Sequence, residues 1–569
     1  MLLTGEAAKE KFANTHTSVP SAAGLVTQVS NAPSNLGTQV MGPTPIKKDT
    51  LIKWANRYKR VNPLVAKELI DGFCHGFRIP STASPPAKPP RNLKSIFEHP
   101  EAVRKKVEAE LQLGRFAGPF FAPPLPNFIC SPLGVVPKKD PGSFRLIHHL
   151  SHPHGLSVND GIDRELCKVS YASFDYAISL VQKVGPTAYL AKADIKSAFR
   201  LLPIHPSDFH LLGFKFEGGF YYDRCLPMGC SISCSLFEKF STFLEFCVKF
   251  CCNGENMLVT HYLDDFLFVG NDYHSCYKLL ATFQCICKEL GVPLANEKTV
   301  GPLRTLSFLG LEINASLGLV RVPEDKVLAL REAVSAALLL KKISLKQLQS
   351  IIGSLNFVCK AVAPGRCFLR RLIDLTMGVK LPHHLVRIGQ GARADLLAWS
   401  NFLSNFNGIT LFLDPNWVTS PDFELYTDAA LSIGYGAYFN GKWLNGRWPL
   451  PFKEKSPSIA AGELFPIVVA VKTWCANLAN KRVLFWSDNQ AVVSIINRQT
   501  SKCPVCMKLL RVFVSLCLQY NILFKAKYVP GLNNNIADAL SRFQMSAFRD
   551  LAPHADLQMT PLPTLEGLI

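Results

Sequence analysis

The chain alternates between two hydrophobic periods, and the changes between them divide it into elements. Met257–Gly270 reads as two apolar, β-branched strands broken only by Asp264 and Asp265, which predicts a tight hairpin with the acids at its tip. Thr187–Arg200 reads as a strand delivering Asp194 at its end, then a turn into a short helix. Further on, Leu425–Ala430 is a strand ending in Asp428, and Gly434–Phe439 is another. Glu463 opens a helix whose apolar face runs Leu464, Ile467, Val468 and Val471, the i, i+3, i+4, i+7 spacing. Val483–Asn489 is a strand delivering Asp488 into the helix Gln490–Asn497, and Tyr528–Arg542 is a loop entering a helix with Asp538.

The remaining segments set the domain boundaries. Residues 1–45 lack sustained periodicity and are rich in small and polar residues, so they are predicted to be disordered. Residues 46–93 hold a small helical module, up to about residue 78, and a Pro-rich linker. The next boundaries fall at 94–315, 316–415 (helical and basic, with Lys341, Lys342, Lys346, Arg370 and Arg371), 420–543, and a tail at 544–569. A length of 569 residues leaves room for about four modules.

Carboxylates at the ends of buried strands need compensation, because burying one uncompensated costs several kcal/mol. A hard divalent cation compensates well. Tyr262-Leu-Asp-Asp265 between apolar strands resembles the polymerase site of reverse transcriptases, and Asp194 would complete its set of acids. The resemblance implies a right-hand polymerase of fingers, palm and thumb, an α+β assembly, using two Mg2+ per site with Mn2+ as an alternative. It extends to a fingers hairpin, Ser131–Arg145, turning at Asp140–Ser143 and presenting Lys138, Lys139 and Arg145 to a nucleotide triphosphate. Phe199, five residues after Asp194, takes the place of the aromatic gate against a ribose 2′-hydroxyl. Leu226–Gly229 resembles the template-positioning motif, with Met228 where retroviral enzymes often have Gln, and Gly229 after it. Lys298 takes the place of a lysine proposed as general acid to pyrophosphate, and Phe308, Leu309 and Gly310 that of the primer grip.

The last third resembles ribonuclease H, an α/β domain. Its order of Asp428, Glu463, Asp488 and Asp538 on strand, helix, strand and helix implies a second two-metal cluster. It departs from many ribonucleases H in having no histidine in the loop Tyr528–Asn535; Tyr528 stands where relatives often have one, and Leu532 lies within the loop. Phrases such as Ser157–Gly161, Pro364–Asp374 and Ala537–Arg542 resemble the DIRS-like, tyrosine-recombinase retrotransposons, which implies a recombinase supplied separately.

Composition sharpens this only at the margin. A net charge of +19 suits a polyanionic partner. The resemblance names RNA template, DNA primer, RNA–DNA hybrid and dNTPs. The 18 cysteines lie in predicted core elements and read as reduced thiols of an intracellular protein, in cytoplasm or nucleus. Cys503-Pro-Val-Cys506 has no partner pair, His148, His149, His152 and His154 read as a solvent-exposed cluster, and no apolar run reads as membrane-spanning. The competing readings are a decayed or domesticated copy that grips hybrid without chemistry, and a polymerase whose ribonuclease H domain is structural. All seven acids are present, which favours the enzyme.

Overall fold

Met257–Tyr262 and Asp265–Gly270 pair antiparallel through a two-residue turn, Leu263-Asp264, in which Leu263 takes φ 53°. The hairpin lies at one side of a four-stranded antiparallel sheet. Tyr189–Asp194 pairs with Asp265–Gly270, and Val300–Leu303 closes the other edge. The computed structural model describes residues 40–138, 142–252, 257–359, 361, 365, 368–405, 409–414, 416–419, 421–454, 458–528 and 534–565.

The helices Ser233–Cys251 and Tyr273–Leu290 cover one face of this palm sheet, burying Phe237, Phe240, Phe266, Phe268 and Phe283. Each such aromatic removes 150–250 Å² from water, so this layer dominates the local energetics. Two predictions for the N-terminal third are corrected here. The helices Lys48–Tyr58 and Pro63–His75 are no separate module. Their aromatic faces complete the palm core, Tyr58 lying 4.9 Å from Phe246 and Phe73 5.0 Å from Phe240. The start of the Pro-rich linker is also held: Asp208, buried, accepts from Arg78 Nε at 2.8 Å and from the Ile79 amide at 2.7 Å. Of the stretch expected to be disordered, residues 1–39 lie outside the described residues, while the segment from residue 40 is fastened by Arg224 donating to the Val40 and Met41 carbonyls.

The fingers hairpin pairs Leu133–Pro137 with Phe144–His148. Beyond the palm, Thr305–Phe308, Leu311–Asn314 and Leu319–Arg321 form a meander joined by Ile409–Leu411, so this sheet crosses the boundary placed at residue 315. The helices Glu324–Leu339, Leu345–Val358 and Gln390–Asn405 fall within the segment read as helical and basic. Lys341, Lys342 and Lys346 are exposed.

The C-terminal third contains an antiparallel sheet, Tyr426–Ala430, Gly434–Phe439 and Lys442–Arg447, and a parallel one in which Arg482–Ser487 is flanked by Trp417–Thr419 and Leu523–Tyr528. The helix Ile459–Leu478 packs against the first of these sheets and against Pro504–Gln519. It is the one helix among the described residues long and apolar enough to cross a membrane, and 67% of its apolar window is buried inside the protein. Its apolarity is that of a core helix. The tail is docked rather than loose: Trp443 Nε1 donates to the Asp556 carbonyl at 2.7 Å and Lys472 Nζ to that of Thr564 at 2.6 Å. The seventeen described cysteines are all free.

Candidate active site

Antiparallel register brings the palm acids together. Asp194 ends its strand directly opposite Asp265, which begins its own, and the Ile195 amide donates to the Asp264 carbonyl at 3.1 Å. Asp194 is buried at 8% exposure, and Asp264 and Asp265 are half-buried. Burial, reinforced by the charges of Asp264 and Asp194, pushes the Asp265 carboxyl up to about 6. Burial also raises Asp264, with Asp194 adding to it. Lys298 supplies one counter-charge, its Nζ 2.9 Å from Asp194 Oδ2, and that hydrogen bond raises the lysine's own pKa.

Asp194 and Asp264 line a cleft of about 400 Å³ that is also lined by Lys106, Lys138 and Arg145. Met228 lines it as well. Gly229, at φ 104°, lies behind: a Cβ there would stand 2.9 Å from the His148 carbonyl oxygen, so both the backbone conformation and the space favour glycine. Lys139, Asp140 and Pro141 lie outside the described residues. The cleft lining includes Ala198 and Arg200 but not Phe199, whose ring stands edge-on to Phe237 at 5.4 Å, against the palm core. The residues expected to form the primer grip lie at the Phe308–Leu311 turn: Phe308 points into the core, and Leu309 (φ 48°) and Gly310 (φ 81°) make the turn. Gly310 accepts from Lys326 Nζ at 3.1 Å.

The sequence barely signals the ion-pair network that lines this cleft. Arg200 donates to Asp223 Oδ2 and Glu110 Oε2, each at 2.7 Å, and Arg115 holds the other Glu110 oxygen at 2.8 Å. Its one sequence signal is a lone arginine in the apolar run Ala198–Ile204, where a buried charge requires a partner. His148 also departs from the exposed cluster predicted for it. It is 7% exposed, its Nε2 lies 3.1 Å from the Gly213 carbonyl oxygen, and burial pushes its pKa down to about 4.

In the C-terminal third Asp428 lies mid-strand opposite Gly436, and Asp488 follows the last residue of Arg482–Ser487. Asn489 caps the next helix, accepting from the Ala491 and Val492 amides at 3.0 and 3.2 Å. Glu463 is the fifth residue of Ile459–Leu478. Burial pushes it up to about 8, with Asp428 and Asp488 adding their repulsion. Burial also raises Asp428, opposed by a hydrogen bond from Ser541 Oγ at 2.6 Å. Asp538 lies more exposed at the rim, its Oδ1 2.8 Å from Arg542 Nε. Tyr528 is exposed at a strand end, and residues 529–533, with Leu532, lie outside the described residues.

Among the described residues no three acidic, histidine or cysteine side chains stand close enough to ligate one ion as they lie. The donor chemistry of both acid sets nevertheless suits a hard divalent cation: all donors are carboxylate oxygens, and burial and mutual repulsion raise several of them.

Residues 136–313 match the family model described as reverse transcriptase (RNA-dependent DNA polymerase). Among curated proteins, the chain is 27% identical over 254 residues to Protein P of heron hepatitis B virus, covering 44% of this chain and 30% of that protein. It is 21% identical over 485 residues to the retrovirus-related Pol polyprotein from transposon opus of Drosophila melanogaster, covering 81% of this chain and 45% of that one. The chain thus spans less than half the length of either relative. Among solved structures, a foamy viral protease-reverse transcriptase in complex with RNA/DNA hybrid is 16% identical with a TM-score of 0.46, covering 88% of this chain and 65% of that one. Residues 136–313 are thus similar to the reverse transcriptase family, and the chain over most of its length is similar to a retrotransposon Pol polyprotein.

Proposed function

We propose that this chain is the RNA- and DNA-directed DNA polymerase of a retrotransposon, of the DIRS-like kind, with ribonuclease H activity in its C-terminal third. The observation that carries the polymerase reading is the cleft of about 400 Å³ lined by the acids Asp194 and Asp264 and by the cations Lys106, Lys138 and Arg145, with Asp265 paired directly opposite Asp194. A nucleoside triphosphate has the complementary charge for those cations. Lys138 and Arg145 orient its phosphates, and Met228 borders the template side. Lys298 holds a proton next to the reacting centre, where a departing pyrophosphate takes one up. Asp194, Asp264 and Asp265 would hold two Mg2+ ions, which when bound supply activation of a primer 3′-hydroxyl and charge neutralisation at the leaving group. The Leu309-Gly310 turn supports the primer strand. RNA template, DNA primer and dNTPs are the substrates, and a recombinase would act separately.

The second activity rests on the convergence of Asp428, Glu463 and Asp488, each raising or repelling another. These three and Asp538 would hold the ions at a scissile phosphate of an RNA–DNA hybrid. Primer extension on an RNA template with Mg2+ tests the polymerase reading. Wild type extends, while Asp194→Asn and Asp264→Asn fold but lose orders of magnitude in rate, since one lost carboxylate costs several kcal/mol of transition-state stabilisation. Near-normal extension by either variant overturns it.

A further inference from the structure

The helices Arg370–Asp374 and Gln390–Asn405 meet the helix Pro504–Gln519 along a seam that encloses a cavity of about 180 Å³. None of the seven acids of the two catalytic clusters lines it. Its charged residues are three arginines, 370, 371 and 511, against two acids, Asp374 and Asp395. Arg370 is matched, its Nη2 lying 2.9 Å from Asp374 Oδ1. Arg371 and Arg511 are left to share one carboxylate. Asp395, 3% exposed, stands 3.4 Å from Arg371 Nη1 and 4.0 Å from Arg511 Nη2. Arg371 also donates to the Gly391 carbonyl at 3.2 Å. Arg511 Nε is buried and has no hydrogen-bond partner.

A guanidinium carries five donors in a rigid fork, and a buried donor left unpaired costs free energy. Two guanidiniums facing one carboxylate leave one positive charge over, in a partly enclosed space that keeps each arginine side chain only about a third exposed. The missing partner is an anion that accepts from several directions at once. We propose that this cavity binds a phosphate-class oxyanion, gripped by Arg371 and Arg511, with Thr500 and Gln499 of the same lining supplying further polar atoms. One water occupies roughly 30 Å³ of liquid, so the space admits a tetrahedral oxyanion with part of its hydration. Forked N–H pairs match phosphate oxygens in geometry as well as charge. Because the two arginines come from opposite sides of the seam, the bound anion ties the thumb-side helices to the C-terminal third. The group is either free phosphate or a backbone phosphate of bound nucleic acid.

Thermal unfolding of the full chain, with inorganic phosphate titrated against chloride at constant ionic strength, tests the site. Wild type shows a saturable rise of about 1–3 °C in melting temperature. Arg511→Gln removes the response, and Arg511→Lys, which keeps the charge but loses Nε and the fork, weakens apparent affinity at least about tenfold. Thr500→Val, a surface-lining change that leaves the ion pairs alone, weakens it less, and serves with Arg511→Lys where Arg511→Gln folds poorly. No saturable response in wild type, or the wild-type response in all three variants, overturns the proposal. Binding of an RNA–DNA hybrid as a function of salt separates the two sources. A salt slope shallower by about one in Arg511→Gln assigns a backbone phosphate. Unchanged hybrid binding beside a lost phosphate response assigns a free one.

Discussion

Lys298 and Asp194, 104 residues apart, are joined by a 2.9 Å ion pair in the cleft. The pair is formed by the turn that follows Ala295, whose amide donates to the Asp194 carbonyl at 2.9 Å, so strand end and lysine are fixed by one backbone contact. Lys298 is itself 59% exposed along its side chain, so its value lies in position rather than in fold stability. Lys298→Ala is expected to lower primer-extension kcat by about 100-fold or more, the range of a lost general acid. It should leave the melting temperature nearly unchanged, and Lys298→Arg should restore part of the rate. Single-turnover incorporation kinetics check this, and an unaltered kcat in the alanine variant would remove Lys298 from the chemistry.

Arg200 is expected to matter for the fold more than for phosphate. Its guanidinium is already engaged by Asp223, 2% exposed along its side chain, and by Glu110. Burial opposes its charge, but those two carboxylates hold it firmly protonated. Arg200→Met strands a buried carboxylate, a change that typically costs about 3–5 kcal/mol. Urea unfolding should show that loss, and the double variant Arg200→Met, Asp223→Leu should recover much of it. A single variant as stable as wild type would show the network to be dispensable.

The hairpin at 257–270 was legible because period-two apolar residues surround two adjacent acids that no buried strand tolerates without a reason. That Asp194 would lie opposite Asp265 was legible only through the family resemblance, since register between strands some 70 residues apart is a tertiary property. Where tertiary partners decide, local reading failed. The Trp54, Tyr58 and Phe73 faces look like a small independent bundle until Ser233–Cys251 is seen beneath them. His148 shares its neighbourhood with three other histidines, but it faces inward from its strand onto Phe214, 5.5 Å away. In the C-terminal third, Trp417–Thr419 takes the place beside Arg482–Ser487, so the strands there form two sheets, a pairing that no local pattern encodes.

His261, in the strand leading to the acidic hairpin, makes stability depend on pH. Its Nδ1 lies 2.5 Å from Glu245 Oε2, and its Nε2 lies 3.2 Å from Glu238 Oε1, near enough for an ion pair though angled away from a hydrogen bond. Lys249, on the same helix as both glutamates, also pairs with Glu245, and Phe266 stacks on the ring at 5.2 Å. Burial alone would lower the imidazole, but the two glutamates outweigh it and hold the pKa up at about 9. A raised pKa means the folded state keeps a proton that the unfolded chain releases near 6.5. The stabilisation is therefore complete below pH 6.5 and is lost as pH rises toward 9, by a few kcal/mol at most. Chemical denaturation at pH 6, 7.5 and 9 should show the decline in wild type, and His261→Gln should flatten it. An equal decline in the variant would assign the pH dependence elsewhere.

The C-terminal acids should be separable from polymerisation, because Asp428, Glu463 and Asp488 sit on elements that the palm does not share. Asp488→Asn is expected to stop degradation of the RNA strand in a labelled hybrid by at least about a hundredfold while primer extension stays within about twofold. Ser541→Ala provides a finer probe. The hydroxyl donates to Asp428 Oδ2 at 2.6 Å and opposes the rise that burial imposes on that carboxyl. Removing it should shift the acid limb of the cleavage pH profile upward and raise the Mg2+ concentration needed for half-maximal rate, with a smaller loss in the maximal rate itself. With Tyr528 where relatives often place a histidine, wild-type cleavage should be measurable but slow. Wild-type protein that extends primers yet leaves the hybrid's RNA intact across a Mg2+ and Mn2+ titration would make the C-terminal third a structural domain. In that case Asp488→Asn should instead raise its melting temperature, by relieving the repulsion now felt by Glu463.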